Sequence, residues 1–541
     1  MRHVDNSKRP KLAYLLIILL LSYALFIGLY WFSHYKGMIV DGDATSLTLA
    51  SEGIVEEGSI TPPKHRYHGF GFPAILAFVS VISGESVQKI QIFDSIWLVV
   101  IVFFAFVVYR ELTESVLLAM LGASILLLLP DFLFYVLRGS HEKITWLYFM
   151  LLLFLLSKSY RAYNKATYLT AFIVAFYLSY WGMVATNAYF ASTMLTASFL
   201  SFGIGVGLLV MLWLRNRKVG RENFRDIIIS EVGVSSKSMV RRFLLGSLIS
   251  FLILFIFIFY LYPPARGFLY SLRSMVDKLG VLLLGGQAVS QPYAIIQTAW
   301  TSRRVYLSLV APEFLFILAS IITWFRYCWK WINGYWQQSP HSNQLLWLFY
   351  TAFIIQIGFA FILDFAGVLS SNLQLRIFPA FSILMAPYAA EFFYTLFDGM
   401  FRNRKIVFLI SPLIFYMSIV GLLKMSNDPM VSNLWLFYSN QEVRGLEWME
   451  RYVENDVVWI DTWPHLRDVL WFRKGYNWVP HNYYIATTSN TDSNYVFISK
   501  LTKLQADRSQ ISLPSVVSKN MVYDSGRVKI YHKRPRSPYQ R

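Results

Sequence analysis

Long apolar segments without charged residues recur along most of the chain, and they limit the folds that it can adopt. The first of them, residues 12–32, contains 21 residues and no charged side chain. A helix of this length spans about 30 Å, which is the thickness of the hydrocarbon core of a bilayer. Residues 70–83 are also apolar but are too few to cross it fully. The remaining segments lie at about 90–109, 116–137, 144–157, 167–190, 192–214, 243–262, 305–325, 345–366, 377–397 and 406–424.

The composition agrees with this pattern, because 56% of the residues are hydrophobic and only 15% are charged. A soluble domain has a charged fraction of about a quarter. The sequence therefore predicts a polytopic α-helical membrane protein with about eleven full crossings and one partial crossing, in a range of eleven to thirteen transmembrane helices. The single cysteine, Cys328, excludes an internal disulfide framework.

Basic residues orient the predicted helices, because Lys and Arg collect in cytoplasmic loops. If residues 70–83 cross only partly, every basic cluster falls on the side of the N-terminus, which is then cytoplasmic. The formal net charge of +18 reflects this topology, and we do not expect nucleic-acid binding. The prediction is a multi-pass protein of the cell membrane. Its external segments are 33–69, 138–143, 263–304, 367–375 and all residues after 424.

The last part of the chain, residues 425–541, differs from the membrane region 1–424 in its sequence pattern. Residues 440–456 carry apolar side chains at helical spacing, and "VVWID", "NYVFIS" and "MVYDSGRVKIY" are typical of short strands, the last folded at Asp-Ser-Gly. About 115 residues suffice for one small domain. The sequence therefore predicts an external α/β domain after the membrane domain.

Carboxylates are concentrated directly after the first apolar segment, in "IVDGDATSLTLASEGIVEEG". Asp41 and Asp43 flank a glycine, and carboxylates on such a turn can converge on one hard cation such as Mg²⁺ or Mn²⁺. Asp-Gly is also ordinary turn chemistry, in which case Glu52, Glu56 and Glu57 would form a solvated helix face. The spacing leaves both interpretations open.

Basic and imidazole side chains follow in "TPPKHRYHGFGFPAIL" (61–76), where His65 and Arg66 stand on a stiff, proline-rich rim. Phosphate is one partner for such a rim, and a lipid headgroup is the other. Arg376, Arg303 and Arg304 lie at the starts of apolar segments on the predicted external side. Each could hold a lipid-linked phosphate through two parallel hydrogen bonds or simply snorkel to the interface.

Glu142, in "RGSHEK" (138–143), lies on the predicted external face between two apolar segments. An ionisable residue in this position is costly unless it faces a polar cavity, although a loop residue wetted at the interface costs less. The sequence contains no P-loop for phosphate binding, and no nucleophilic triad or HExxH zinc motif stands out in it.

The order of these fragments resembles the GT-C membrane glycosyltransferases, and most closely the oligosaccharyltransferase catalytic subunit. The resemblance implies that Asp43 is a metal-binding carboxylate, and that Glu142 after "GS" belongs to the second acidic motif. It also implies that "SYWGMVATNAYF" (179–190) contains a Trp-Gly junction between two helices. Arg376, in "LQLRIFPAFSILMAP", would meet the phosphates of the donor.

This sequence departs from the usual pattern of the family in two places. The external loop "GQAVSQPYAIIQTAW" (286–300) lacks the family's glutamate, and Gln291 is the nearest polar substitute. In "VWIDTW", Trp459 and Asp461 match the Trp-Trp-Asp acceptor motif, but Ile460 replaces the middle Trp. These three residues, Gln291, Trp459 and Asp461, are the predicted acceptor contacts.

The resemblance implies transfer of a sugar or oligosaccharide from a polyprenyl phosphate or pyrophosphate to a glycan, lipid or protein acceptor on the external face. Asp43 would be central and Asp41 and Glu142 supporting, with Mn²⁺ or Mg²⁺ bound by Asp43 and Glu142, or with Asp43 as a general base and no metal. The competing interpretation is a non-enzymatic transporter or assembly scaffold. The predicted donor-phosphate contacts are His65, Arg66, Arg304 and Arg376.

Overall fold

The computed structural model describes the backbone of most of the membrane region and of part of the C-terminal region. Asp41, His65, Arg66, Gln291 and Asp461 lie outside the described residues, as do the apolar segment 243–262 and the loop 263–302 apart from three positions. The described residues are 10–35, 42–60, 69–161, 166–217, 303–332, 341–365, 373–397, 404–426, 440–452, 458–459, 495–499 and 519–533, with 273, 277, 280, 503, 513 and 515–517.

Fifteen α-helices and four strands form in these described ranges. The helices are α1 (Pro10–His34), α2 (Gly42–Glu57), α3 (Gly71–Ser83), α4 (Val87–Ile92), α5 (Trp97–Thr113), α6 (Val116–Leu126), α7 (Pro130–Leu137), α8 (Glu142–Arg161), α9 (Ala166–Thr186), α10 (Ala188–Arg217), α11 (Arg303–Ile332), α12 (His341–Phe365), α13 (Leu373–Phe397), α14 (Arg404–Met425) and α15 (Asn440–Tyr452). The strands are β1 (Val458–Trp459), β2 (Tyr495–Ser499), β3 (Lys519–Asp524) and β4 (Val528–Lys533).

Within the described part of the chain, six helices are long and apolar enough to cross a membrane, namely α1, α9, α10, α11, α12 and α13. A seventh crossing is present if the bent pair α6 and α7 is counted as one span. The predicted polytopic helical membrane protein is therefore confirmed. Helices α5, α8 and α14 occupy three further predicted segments without being among the six, so the number of eleven stays a prediction.

Two predicted continuous spans are interrupted in the structure. The segment 116–137 divides into α6 and α7, which meet at an angle of 74°. Pro130 begins α7, where its missing N–H costs no helical hydrogen bond, and the preceding residues close short turns, with Leu127 N donating to Ser124 O at 3.1 Å. The segment 90–109 is broken by a 3₁₀ turn at Phe93–Ile96. An uninterrupted apolar pattern does not reveal local breaks of this kind.

Helix α3 has the length that its apolar run indicated. Its 13 residues extend about 20 Å, which is less than the hydrocarbon thickness. It ends at Gly84, whose φ of 70° gives a left-handed C-cap with its N–H bound to Ser80 O. Phe72, Leu76 and Ala77 are buried on one face of α3. The helix therefore covers neighbouring elements without completing a crossing of its own.

Large apolar side chains fill the space between α5, α6, α8 and α13. Tyr109 on α5 is fully buried, and its hydroxyl donates to the Ile383 carbonyl of α13 at 2.7 Å. Gly122 of α6 lies against the same ring, and a Cβ there would be 2.9 Å from a ring carbon. Tyr109 thus joins α5, α6 and α13 in the core of the membrane region.

The C-terminal region contains the predicted helix and strands. The sheet order is β1-β2-β4-β3, with β1 parallel to β2 and the other neighbours antiparallel. The β3–β4 turn forms where the sequence indicated, since Asp524 Oδ1 accepts the Gly526 N–H at 2.7 Å and Gly526 has a φ of 80°. Gly445 of α15 packs on the sheet, where a Cβ would lie 2.9 Å from the Val528 side chain.

Candidate active site

The five-residue segment from the end of α7 to the start of α8 carries a buried ion pair. Arg138 Nη2 lies 2.9 Å from Glu142 Oε1, and both side chains are almost completely buried. Ser140 sits between them, accepting from Arg138 Nε at 3.1 Å and donating its hydroxyl to Glu142 Oε2. Both carboxylate oxygens of Glu142 are therefore engaged by neighbours on the same short segment.

These neighbours set the protonation state of Glu142, which precedes the apolar part of α8. Burial raises the pKa of the Glu142 carboxyl, but the Arg138 guanidinium, His141 and the Ser140 hydroxyl outweigh burial and bring that pKa to about 2. Glu142 is consequently ionised at physiological pH and is a weak base. The side chain can fix charge and geometry, but it is poorly suited to removing a proton from a substrate hydroxyl.

Gln91 ties this segment to the start of α2. Its buried side-chain amide donates to the Ala44 carbonyl at 3.0 Å and to the Gly139 carbonyl at 2.8 Å. Gly139 is required at this contact, because a Cβ there would lie 2.6 Å from the Ala44 Cβ. Asp43 is the residue before Ala44, so the backbones of the two predicted acidic motifs are adjacent.

Asn187, at the break between α9 and α10, holds His141. Asn187 Oδ1 accepts the Phe190 N–H at 3.2 Å as a helix cap, so its amide NH₂ faces His141 Nε2 at 2.5 Å. His141 Nε2 is then the acceptor, and in the neutral ring the proton resides on Nδ1. Nδ1 lies 3.9 Å from Glu142 Oε2. The helix cap formed by Asn187 therefore determines the tautomer of His141, which is buried beside Glu142.

Helix α3 closes the site from another side. Gly71 packs on the same α9–α10 break, where a Cβ would lie 2.9 Å from both the Ala185 carbonyl carbon and the Thr186 nitrogen. Lys143, in the first turn of α8, is fully buried, with its Nζ 5.9 Å from the centre of the Phe72 ring.

A second buried charge cluster anchors the start of α7. Lys424 Nζ of α14 lies 2.6 Å from Asp131 Oδ1 and 3.2 Å from Glu313 Oε1 of α11. Glu313 Oε1 also accepts the Asp131 backbone N–H at 3.0 Å. Since α7 has only eight residues, this cluster and the Arg138–Glu142 pair fix both ends of the same short helix.

The structure brings together some of the predicted residues and not others. Asp43 is the second residue of α2 and stands next to the Glu142 loop, although its side chain lies outside the described part. Arg304 and Arg376 occupy the first turns of α11 and α13, and Trp459 ends β1, also without described side chains. Their roles, and those of the residues in undescribed segments, remain predictions.

Sequence reasoning missed several residues of the site. In the sequence, Arg138 and Glu142 are opposite charges four residues apart, and this i,i+4 spacing could have indicated that they pair. The segment 179–190 does contain a break between two helices, at Asn187, but Trp181 and Gly182 lie within α9, so the Trp-Gly motif itself stays a prediction. The other missed residues are Gln91, His141 and Lys143.

The GT-C resemblance implies a divalent cation held by Asp43 and Glu142, and of these two only Glu142 has a described side chain. Both oxygens of Glu142 are engaged by Arg138 and Ser140, and Nε2 of His141 is engaged by Asn187. Among the described residues no group of three or more His, Cys, Asp and Glu side chains could hold a metal ion. Asp43 is the remaining predicted ligand, and its contribution stays a prediction.

Comparison with known proteins identifies the fold. No protein-family model and no curated protein sequence matches the chain. The crystal structure of the apo oligosaccharyltransferase of Archaeoglobus fulgidus superposes with a TM-score of 0.54 and 11% sequence identity, over 90% of this chain and 69% of that one. The chain has a GT-C-like fold.

A second structure, of the archaeal oligosaccharyltransferase AglB from Archaeoglobus fulgidus with an inhibitory peptide and a dolichol-phosphate, gives a TM-score of 0.52 at 12% identity. That superposition covers 97% of this chain and 74% of AglB. The predicted GT-C-like architecture is confirmed. At this identity the likeness establishes the fold alone, so a place beside the oligosaccharyltransferase subunit stays a prediction.

Proposed function

We propose that the protein is a membrane glycosyltransferase that moves a sugar or oligosaccharide from a polyprenyl-phosphate or pyrophosphate donor to an acceptor at the external membrane face. The observation that carries the proposal is the Gln91 bridge, which joins the backbone beside Asp43 to the loop of Glu142. Two acidic motifs far apart in sequence thereby meet in a buried polar site of a GT-C fold. Because one fold can host many functions, the proposal relies on this meeting of the two acidic motifs and not on the fold alone.

In the proposed reaction the acceptor oxygen attacks the anomeric carbon of the donor sugar, and the bond from this carbon to the phosphate oxygen breaks. The lipid phosphate leaves with the bonding electron pair, and a carboxylate takes the proton of the acceptor hydroxyl. Asp43 is the proposed base, because Glu142, with a pKa of about 2, is a weak one. Asp41 would support Asp43, and the Arg138–Glu142 pair would hold the loop in place.

Negative charge on the departing phosphate requires cations or hydrogen-bond donors close to it. His65 and Arg66 are proposed for this role because their segment ends at Gly69, two residues before the contact of Gly71 with the site. Arg304 and Arg376 are proposed from their positions in the first turns of α11 and α13. Trp459, Asp461 and Gln291 are proposed to bind the acceptor.

One observation favours a second candidate, a transporter without transferase activity. The α6–α7 pair is bent by 74°, and buried charges lie at the start of α7. Broken helices with ionisable groups inside the bundle are also typical of transporters. A transporter would move its substrate across a liposome membrane and leave the sugar–phosphate bond intact. The two candidates therefore differ in whether this bond of the donor is cleaved.

The test is sugar transfer by the purified protein in liposomes, from a panel of polyprenyl-phosphate and pyrophosphate sugars. Wild type, Asp43→Asn and the matched control Glu56→Gln, an exposed carboxylate on the same helix, are compared. We expect transfer by wild type and the control, and a loss of about 100-fold or more in Asp43→Asn. Equal rates in all three would contradict the proposed site. Unchanged donor with substrate translocation would favour the transporter.

A further inference from the structure

A cleft opens at one end of the helical bundle, where α5, α11 and α13 end and where α6 and α12 begin. Its lining combines the polar side chains of Thr113, Tyr327 and Glu391 with the ring of Tyr388 and with apolar residues of α6, α12 and α13. Its empty volume is about 320 Å³, including the open mouth. A partly enclosed space with apolar walls and a few polar groups is a candidate binding site.

This end of the bundle lies opposite the Glu142 loop. Glu111, two residues before Thr113 on α5, pairs with Lys158 Nζ of α8 at 2.7 Å. Lys158 and Glu142 belong to the same helix and are separated by about 24 Å along its axis. The cleft is therefore not part of the candidate active site, and the predicted topology puts it on the cytoplasmic side.

Glu391 brings a carboxylate into the membrane-spanning part of α13, within the apolar span Ile377–Leu396. Such a group is costly in a membrane unless it meets a partner or a polar cavity. The Tyr327 hydroxyl donates to Glu391 at 2.9 Å from Oε2 and 3.1 Å from Oε1, and no other donor to this carboxylate is present among the described residues. One hydroxyl hydrogen cannot satisfy two carboxylate oxygens, so Glu391 keeps acceptor capacity for a ligand in the cleft.

The inner end of the cleft suits a small ammonium group. The rings of Tyr327 and Tyr388 line it beside Glu391, with their centres 5.7 Å apart. A carboxylate and aromatic rings are the groups that attract an organic cation. The enclosed part of the cleft has room for about one water-sized group. A primary ammonium has this size, whereas a trimethylammonium is larger.

Two exposed basic side chains flank Tyr327 on the last turns of α11. The Arg326 guanidinium lies 5.7 Å from the centre of the Phe392 ring, and Lys330 Nζ lies 5.4 Å from that of Tyr327. The charges of both act on the Glu391 carboxylate. Cations outside and a carboxylate inside match a zwitterion whose ammonium enters first and whose phosphate stays at the mouth.

We propose that this cleft binds the headgroup of a phosphatidylethanolamine, with the ammonium on Glu391 and the phosphate on Arg326 and Lys330. The neighbouring side chains of Phe325 and Trp329 are 59% and 70% exposed, and aromatic residues at the end of a spanning helix are typical of contact with lipid. The ligand is thus a membrane lipid and not a soluble compound. The site is independent of the proposed sugar transfer.

Native mass spectrometry of the full-length protein, purified in detergent and depleted of lipid, tests the inference. The protein is titrated with phosphatidylethanolamine, phosphatidylcholine or phosphatidylglycerol carrying identical acyl chains. We expect one phosphatidylethanolamine to bind at least about tenfold more tightly than either of the others, the difference that one charge-assisted hydrogen bond gives. Equal binding of phosphatidylcholine, or a preference for phosphatidylglycerol, would overturn the inference. The measurement involves no sugar transfer and decides even if the proposed function fails.

Variants assign the binding to the cleft. Glu391→Gln keeps an acceptor for Tyr327 but removes the charge, and we expect it to lower the affinity for phosphatidylethanolamine to that for phosphatidylcholine. Glu56→Gln, at an exposed carboxylate on α2, should bind as wild type does. Soluble phosphoethanolamine at the lipid concentration should not displace the lipid. Unchanged affinity in Glu391→Gln, or displacement by the soluble compound, would overturn the inference. Should Glu391→Gln fail to fold, the ranking of the three lipids by wild type remains decisive.

Discussion

Replacing Arg138 by methionine tests whether the buried ion pair organises the site. The change removes the guanidinium 2.9 Å from Glu142 and leaves a buried carboxylate without its main counter-charge. Breaking one partner of a buried pair costs about 3–5 kcal/mol, since the remaining charge keeps its full desolvation penalty. We expect a loss of this size in the free energy of unfolding, measured by SDS titration in mixed micelles.

The chain offers a matched control in the Glu85–Lys89 pair. It has the same i,i+4 spacing and a distance of 2.7 Å, but its side chains are 53% and 65% exposed. Solvent screens such a pair, and Lys89→Met should change stability by no more than about 0.5 kcal/mol. The burial of the two pairs is thus the main difference between the two experiments.

A double-mutant cycle separates stability from function. Arg138→Met combined with Glu142→Leu removes both buried charges, and we expect stability within about 2 kcal/mol of wild type. Transfer activity should stay low, because the loop would keep its packing but lose its charges. A loss below about 1 kcal/mol in Arg138→Met alone, or additive losses in the double variant, would refute the reasoning.

Three further predictions follow from the same geometry. Gly139→Ala should abolish most transfer, because its methyl would lie 2.6 Å from a side-chain carbon of α2, whereas Gly207→Ala in α10, with open space around it, should be neutral in the same assay. Lys424→Met should destabilise the fold by about 3–5 kcal/mol in SDS titration, since two buried carboxylates lose their shared cation. Because the pKa of Glu142 is about 2 in the folded state, its stabilising contribution should be fully present above about pH 5 and fall as the pH drops toward 2. The difference in unfolding free energy between wild type and Glu142→Gln as a function of pH measures this, and a difference that rises with acidification would contradict it.

The fold class and the C-terminal strands could be predicted because their signals are local. Apolar runs of bilayer length and alternating β-branched and aromatic residues depend only on neighbours in the sequence. Apolar periodicity alone did not reveal the breaks at residues 127–129 and at Asn187, although the family resemblance indicated a junction between two helices within 179–190. In both places apolar or small residues continue through the break, and the chain turns because of helix caps and packing against other helices.

The buried charges were hidden for a related reason. Asp131, Glu313 and Lys424 each stand alone in or at the edge of an apolar segment, and only tertiary packing brings the three together. The same holds for Gln91, whose sequence position on α4 gives no sign that it bridges α2 and the α7–α8 loop. The charged and polar residues could be identified from the sequence, but their contact partners could be identified only in the folded chain.

The most direct test of the proposed function is an experimental structure of the protein with a non-hydrolysable polyprenyl-phosphate sugar bound. We expect the anomeric carbon of the donor sugar to lie beside the Asp43 carboxylate, with this carboxylate within hydrogen-bond reach, about 3 Å, of the acceptor oxygen. The donor phosphate should contact basic side chains. A donor bound elsewhere, or an Asp43 carboxylate more than about 10 Å from the anomeric carbon, would contradict the proposed active site.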